Sequence, residues 1–124
     1  MRKFKKVIAS IMAAASVMTC MAMSASAATV SIKKGDAGSQ ANIIGAKQVH
    51  YTGQCSNTAA VFRLAYSSGS YLIDVDNFTL FSGYSFDKYS PVYDTGKMWT
   101  YQVLATGTNN LTSVASGTIE AMMY

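Results

Sequence analysis

Cysteine, proline and charge are all scarce in this chain of 124 residues. It has two cysteines, one proline and 13% charged residues. Cys20 lies in an N-terminal stretch with the features of a cleaved leader, which leaves Cys55 without a partner for an intramolecular disulfide. A small scaffold held together by disulfides is therefore not expected.

Several motifs that mark familiar chemical sites are also missing. The sequence has no zinc-ligand spacing, no phosphate-binding glycine loop and no nucleophile elbow. Its six acidic residues are scattered, and nothing in their spacing selects two of them for acid–base catalysis. We therefore expect no cofactor, no metal and no enzymatic activity, and a small hydrolase is the least favoured function.

The first 27 residues have the anatomy of a secretory signal peptide. Four basic residues within the first six precede an uncharged, mostly apolar stretch over 7–23, and small residues follow. The small-x-small pattern over 25–27 predicts cleavage after Ala27, with Ala28 as a near alternative. The chain thus divides into a signal peptide, 1–27, and a single domain, 28–124.

Two other interpretations fit the N-terminal stretch less well. An uncleaved membrane anchor needs about 20 predominantly apolar residues, and this run is shorter and has no basic stop-transfer flank. A lipoprotein would keep Cys20 as its acylated first residue, but Thr19 stands where glycine or alanine is usual. Export with cleavage is favoured over both.

Removal of the signal peptide also removes the basic charge. The formal net charge of the full chain is +4, but four of the ten Lys and Arg residues lie in the leader, and the remaining six balance the six acids. Binding to nucleic acid or to an anionic membrane surface needs clustered cations, so neither is expected. An exported protein without disulfides suits a bacterium. We expect a secreted protein, extracellular or associated with the cell envelope, whose mature chain does not insert stably into the membrane.

Alternating apolar and polar residues predict strands in the middle of the chain. In 61–66, Phe62 and Leu64 share one face, and the glycine-containing stretch 67–70 predicts a hairpin turn. In 71–81, Asp74 and Asp76 share the polar face. The apolar parity changes afterwards, which predicts a bulge or bend near Asp76-Asn77.

The C-terminal part predicts a second hairpin. After a turn at 94–97, a strand places Trp99 and Tyr101 on one face, and 107–110 turn the chain back into a last strand with a bulge at Ser116-Gly117. Before this hairpin, residues 84–94 predict a short strand, a break at Ser90-Pro91 and a short edge segment.

The first third of the mature chain is less regular. Residues 29–34 predict a strand, 41–51 either a strand with a bulge at Gly45 or a short helix, and 52–58 a turn. Together these segments predict an all-β fold. We expect a small antiparallel β-sandwich or small barrel of about seven or eight short strands, following a cleaved N-terminal signal helix.

Two residue sets could carry chemistry. His50 and Cys55 could form a base–nucleophile pair, but no third orienting group is evident, and a strand-end histidine with a small cysteine that is buried or in a turn is the simpler interpretation. The sequence Asp-Val-Asp-Asn over 74–77 has calcium-loop spacing, but Phe78 stands where the calcium loop has glycine. Two aspartates on the solvent face of a strand are the simpler interpretation here too.

Three tyrosines are the candidate binding residues. Tyr84, Tyr89 and Tyr93 lie in a serine-rich, turn-rich stretch around Pro91. Exposed tyrosines at the edge of a sandwich can stack on sugar rings or anchor a protein partner, because they offer a large contact area at low entropic cost. The alternative is that tyrosine simply suits half-buried strands.

One local similarity to a known family exists. Trp99, the Asn-Leu-Thr sequence at 110–112 and the aromatic C-terminus at Tyr124 resemble small exported β-sandwich bacteriocins of the lactococcin type, over about a quarter of the mature chain. That resemblance implies an antimicrobial, toxin-like role. The favoured expectation is a secreted bacterial binding protein without enzymatic activity, whose partner at the cell envelope is a polysaccharide or a protein.

Overall fold

The computed structural model describes residues 26–123. Nearly all of the predicted signal peptide therefore lies outside the described residues, as does Tyr124. Within them the secondary structure is entirely β, in eight strands. These are β1 (Ala27–Ile32), β2 (Gly38–Ala46), β3 (Gln48–Asn57), β4 (Ala59–Ser68), β5 (Tyr71–Phe81), β6 (Ser85–Tyr89), β7 (Lys97–Ala105) and β8 (Val114–Met123). None of the described residues forms a helix long and apolar enough to span a membrane.

The strands form two antiparallel sheets of four. One sheet has the order β1-β8-β3-β6 and the other the order β2-β7-β4-β5. The order corresponds to one long antiparallel ribbon folded over on itself: β4 pairs with β5 at its tip, followed by β3 with β6, β2 with β7 and β1 with β8. This is the jelly-roll form of the β-sandwich. The predicted all-β sandwich is confirmed.

The core lies between the two sheets. Inward-facing residues alternate with outward-facing ones along each strand, as the pleat requires. Trp99 is fully buried on β7, and its indole Nε1 donates a 2.7 Å hydrogen bond to the carbonyl of Ala46, so its polar atom is satisfied within the core. The other large side chains that are almost completely buried are Tyr101, Phe62, Ile43, Leu64, Ile119, Val30, Val49 and Val103.

The sequence predicts an irregularity at Gly45 and another near Asp76-Asn77, and the structure has a bulge at or next to each position. At Gly45, which has a φ of 90°, the pairing of β2 with β7 shifts by one residue. On β5, Asp74 lies opposite Ala65 and Asp76 lies opposite Leu64, so Val75 is the extra residue of a bulge. The bulge lies one residue before the predicted position.

That bulge corrects one expectation. Asp74 and Asp76 were expected to share a face, but the extra residue between them places them on opposite faces of the sheet. Asp74 pairs with Arg63 on the outer face, where Nε lies 2.6 Å from Oδ1. Asp76 points inward and accepts a hydrogen bond from the hydroxyl of Tyr51 at 2.7 Å. The two carboxylates therefore cannot bind one calcium ion.

The predicted C-terminal hairpin is wrong in its pairing. β7 lies between β2 and β4 in one sheet, and β8 lies between β1 and β3 in the other, so the connection over 106–113 crosses from sheet to sheet. The bulge expected at Ser116-Gly117 is also absent, because Gly117 pairs in regular register with both Val30 and Gly53. Glycine is required at position 117 for a different reason: the backbone lies so close to the carbonyl of Thr52 and the hydroxyl of Tyr101 that a side chain would not fit.

Two shorter segments also differ from expectation. Residues 52–57, predicted as a turn, belong to β3. Their turn-forming residue types are accommodated because Gly53 faces inward against Phe62 and Phe86, where a side chain would not fit. Residues 90–96, predicted to include an edge segment, form no strand, and the chain leaves the sheet at Ser90.

Candidate binding cleft

The outer face of the β1-β8-β3-β6 sheet has a depression at its centre, and two glycines that face the core lie beneath it. Gly53 on β3 and Gly117 on β8 lie directly opposite each other. A Cβ on Gly53 would come within 2.7 Å of the Phe62 ring, and a Cβ on Gly117 would lie 3.1 Å from the Tyr101 hydroxyl and clash with the carbonyl of Thr52. Because neither residue has a side chain, the strands pack directly on the aromatic layer of the core.

Above the glycine pair lies a shallow open cleft of about 670 Å³, which we call the polar cleft. Its walls come from all four strands of the sheet and consist mainly of hydroxyl and amide side chains. These are Thr29, Ser31, Thr52, Gln54, Ser85, Ser116 and Thr118, with the carboxylate of Asp87. Such side chains both donate and accept hydrogen bonds, so the cleft is suited to a ligand with many hydroxyl groups.

Cross-strand hydrogen bonds fix the side chains of the polar cleft. The hydroxyls of Thr52 and Thr118, opposite each other on β3 and β8, are 2.7 Å apart. At the next outward-facing pair, two residues along each strand, Nε2 of Gln54 donates to Oγ of Ser116 at 3.3 Å. The side chains that a ligand would meet are therefore held in place before binding, which lowers the entropic cost of ordering them.

One end of the polar cleft carries a charged cluster, which we call the His50 cluster. Nε2 of His50 on β3 lies 2.6 Å from Oδ1 of Asp87 on β6, and Nδ1 lies 3.0 Å from Oε1 of Glu120 on β8. The ring of Tyr89 stacks on the imidazole with the two centroids 4.6 Å apart. Asp87 belongs to both the cluster and the cleft, so it links the two electrostatically.

The His50 cluster favours the protonated imidazole. The hydrogen bond with the Glu120 carboxylate raises the pKa of His50 above its ordinary value of 6.5. Partial burial of the ring opposes this change, and the hydrogen bond and negative charge of Asp87 reinforce it. The imidazolium is the form that can donate to both carboxylates at once.

The three candidate tyrosines do not form one site. Tyr89 lies in the His50 cluster with 58% of its surface exposed. Tyr84 is exposed in the β5–β6 turn, at the opposite end of β6, about 17 Å away along an extended strand. Tyr93 lies in the loop after Pro91 and packs against Tyr66 and Trp99. Burial, and then the neighbouring Tyr66, raise the pKa of Tyr93.

The possible base–nucleophile pair does not assemble. Cys55 lies five positions after His50 on the same strand, and an odd offset places the two side chains on opposite faces of the sheet. Cys55 is 3% exposed and faces the core, and its thiol contacts the carbonyl of Asn57. Among residues 26–123, no three His, Cys, Asp or Glu side chains converge on a point that could hold a metal ion.

Comparisons with known proteins add little to this geometry. No protein-family model matches the chain, and no curated protein matches it either. Among solved structures, the crystal structure of the Yersinia pseudotuberculosis-derived mitogen is similar over 77% of this chain and 83% of that one, with 11% sequence identity and a TM-score of 0.47. A similarity this distant supports no statement about what the present protein binds.

Proposed function

We propose that the protein is a secreted bacterial binding protein without enzymatic activity, and that it holds a polysaccharide of the cell envelope in the polar cleft. The observation that supports the proposal is the lining of the cleft, where hydroxyl and amide groups from four strands surround one shallow depression. Clefts of several hundred cubic ångströms with a few converging polar groups are the usual form of a binding site.

The chemistry of the lining matches that of a sugar. Each sugar hydroxyl both donates and accepts, and the threonine and serine hydroxyls of the cleft can reciprocate in either direction. The Asp87 carboxylate, which is 68% exposed, can accept from two neighbouring hydroxyls. The exposed ring of Tyr89 at the end of the cleft supplies a flat apolar surface on which a sugar ring can stack.

The sequence supports the proposed location. A basic, apolar and small-residue leader predicts export. The mature chain carries no formal net charge, so its attachment to the envelope would rest on specific polar contacts and not on bulk electrostatic attraction. A cleft built for hydroxyl groups provides such contacts.

A pull-down of residues 28–124 on insoluble peptidoglycan, chitin and cellulose tests the proposal. We expect at least one of these polymers to retain the protein. Thr52→Val with Thr118→Val removes two cleft hydroxyls while keeping the shape of the side chains, and should weaken retention about three- to tenfold for each ligand hydrogen bond lost. Thr79→Val, on the exposed part of β5 in the other sheet, is the matched control and should bind like the wild type.

Tyrosine variants give a second readout. Tyr89→Ala should weaken retention, and Tyr84→Ala, which removes a similarly exposed ring that does not line the cleft, should not. Tyr93→Ala is unsuitable because that ring packs on Trp99, and its loss would disturb the core. No retention by any of the three polymers would contradict the proposal. If the protein is not retained but kills related bacteria, the result would instead support the alternative function, that of a bacteriocin.

A further inference from the structure

A second depression continues the polar cleft along the sheet. It has a volume of about 400 Å³, and its polar lining consists of Ser31, Lys33, Asp36, Gln54, Ser56 and Ser116. Ser31, Gln54 and Ser116 also line the polar cleft. Because the two depressions share one residue on each of β1, β3 and β8, they are one groove.

The groove runs along the strands and not across them. On β3 the outward-facing side chains follow one another from His50, which lies just beyond the lining residues, through Thr52 and Gln54 to Ser56. At about 3.4 Å per residue, these six steps correspond to about 20 Å. On β8 the run from Thr118 through Ser116 to Val114 lies beside it in antiparallel register. A single sugar ring would fill only part of such a groove.

The two ends of the groove are both fixed but differ in chemistry. At one end Asp87 is held by His50. At the other end Lys33 and Asp36 form a turn in which the amide of Lys33 donates to the Asp36 carboxylate at 3.1 Å. That turn is tied to the β7–β8 connection, because the amide of Gly35 donates to the carbonyl of Leu111 at 2.7 Å. Between the ends most of the outward-facing side chains carry hydroxyl or amide groups, whereas Val114 is apolar.

We infer that the groove binds an internal stretch of a linear, neutral polysaccharide chain, which lies along β3 and β8 and contacts both depressions at once. The inference rests on the proposed function, and it specifies the class of ligand: a polymer of repeated hydroxyl-bearing units rather than a monosaccharide or a chain end. The supporting feature is the repetition. Thr52, Gln54 and Ser56 present a hydroxyl or amide group at every second residue of β3, a spacing that suits a polymer of repeated hydroxyl-bearing units.

The test uses oligosaccharides of whichever polymer retains the protein, in a series from one sugar unit to about eight. Each is used to compete wild-type residues 28–124 off the insoluble polymer. We expect competition to strengthen with length until the oligosaccharide fills the groove, and then to level off. One- or two-unit sugars that compete as well as the longest ones would overturn the inference while leaving the proposed function intact.

Variants at the far end separate the two depressions. Lys33→Gln with Ser56→Ala should weaken binding of the longest oligosaccharides about fivefold or more, by the loss of one or two hydrogen bonds, and leave binding of the shortest unchanged. Lys34→Gln, at the exposed neighbouring lysine that does not line the groove, should change neither. Equal weakening for short and long oligosaccharides would contradict the inference. Failure of every polymer to retain the wild type would refute the proposed function, and the inference with it.

Discussion

Nε2 of His50 lies 2.6 Å from Oδ1 of Asp87 on the neighbouring strand. On the other side of the same ring, Nδ1 lies 3.0 Å from Oε1 of Glu120. An ionised carboxylate only accepts hydrogen bonds, so both nitrogens must carry hydrogen if both bonds are to form. A single proton on His50 therefore ties β6, β3 and β8 together beside the proposed binding site.

The stabilisation that this proton provides should disappear at alkaline pH. The pKa of His50 is raised above its ordinary 6.5, chiefly by Glu120, with a further contribution from Asp87. A raised pKa means that the folded protein holds the proton more tightly than the unfolded chain. The stabilisation is thus fully present below pH 6.5 and is lost as the pH rises through the raised pKa. Because both carboxylates are more than half exposed, we expect an effect of about 1 kcal/mol or less.

Urea unfolding of the wild type and His50→Gln measures this effect. The difference in free energy of unfolding should be largest near about pH 6 and should shrink as the pH rises through the raised pKa of His50, where the wild-type imidazole loses its proton. The chain has a single histidine, so its ring resonances in NMR report the pKa directly. A midpoint at or below 6.5, or a stability difference that does not vary with pH, would show that the two carboxylates do not hold the proton.

The glycine pair beneath the cleft should be intolerant of even a methyl group. Gly117→Ala places a Cβ against the carbonyl of Thr52 and 3.1 Å from the Tyr101 hydroxyl. That hydroxyl already donates a 2.6 Å hydrogen bond to the same carbonyl, so neither atom can move away freely. We expect a loss of about 1–3 kcal/mol in the free energy of unfolding.

Ser116→Ala is the control for the glycine substitution, because its side chain points outward into the groove and its truncation crowds nothing. It should change the stability by about 0.5 kcal/mol or less. Denaturation in urea, followed by tryptophan fluorescence of the buried Trp99, measures both variants. A Gly117→Ala protein as stable as the Ser116→Ala protein would mean that the sheet does not pack directly on the aromatic layer.

The strands and the β4–β5 hairpin were largely predictable from sequence, whereas the partners of the other strands were not. Alternation alone located β4 and β7, and a change of parity located the bulge on β5. A turn signal after β7, however, does not indicate whether the next strand stays in the same sheet or crosses to the other one. The predicted β7–β8 hairpin rests on local sequence alone, whereas the packing of the two sheets decides which strand β8 pairs with.

The residues that meet in the candidate site were even harder to predict from the sequence than the strand partners. Tyr89 and His50 could be singled out by residue type, but the partners of His50 lie 37 and 70 positions away in the sequence. Asp87 and Glu120 become neighbours of His50 only through the pairing of β3 with β6 and β8. One local signal is present in the sequence: the outward residues of β3 alternate strictly with Tyr51, Gly53 and Cys55, but a glycine in such a run is also typical of a turn.

The thiol of Cys55 should be unreactive in the folded protein. It is 3% exposed, faces the core and contacts the carbonyl of Asn57 at 3.4 Å. In residues 28–124 it is the only cysteine of the sequence, so a thiol-specific disulfide reagent reports on this one group. Its reaction rate should rise with urea in parallel with global unfolding, and Cys55→Ala should bind polysaccharide like the wild type. Rapid reaction in native buffer would contradict the burial, and loss of binding in Cys55→Ala would imply a role for the thiol in the site.

The two aspartates of β5 should differ in their contribution to stability, although only one residue separates them. Asp76→Ala leaves the hydroxyl of the buried Tyr51 without its acceptor, and removes the partner that lies 3.1 Å from Nζ of Lys88. We expect it to cost about 1–3 kcal/mol of the free energy of unfolding. Asp74→Ala breaks a solvent-accessible pair with Arg63 and should cost about 1 kcal/mol or less. Urea unfolding of both variants at neutral pH measures the difference. Because a regular strand would give the two carboxylates the same environment, equal losses would contradict the bulge at Val75 that places one inside and one outside.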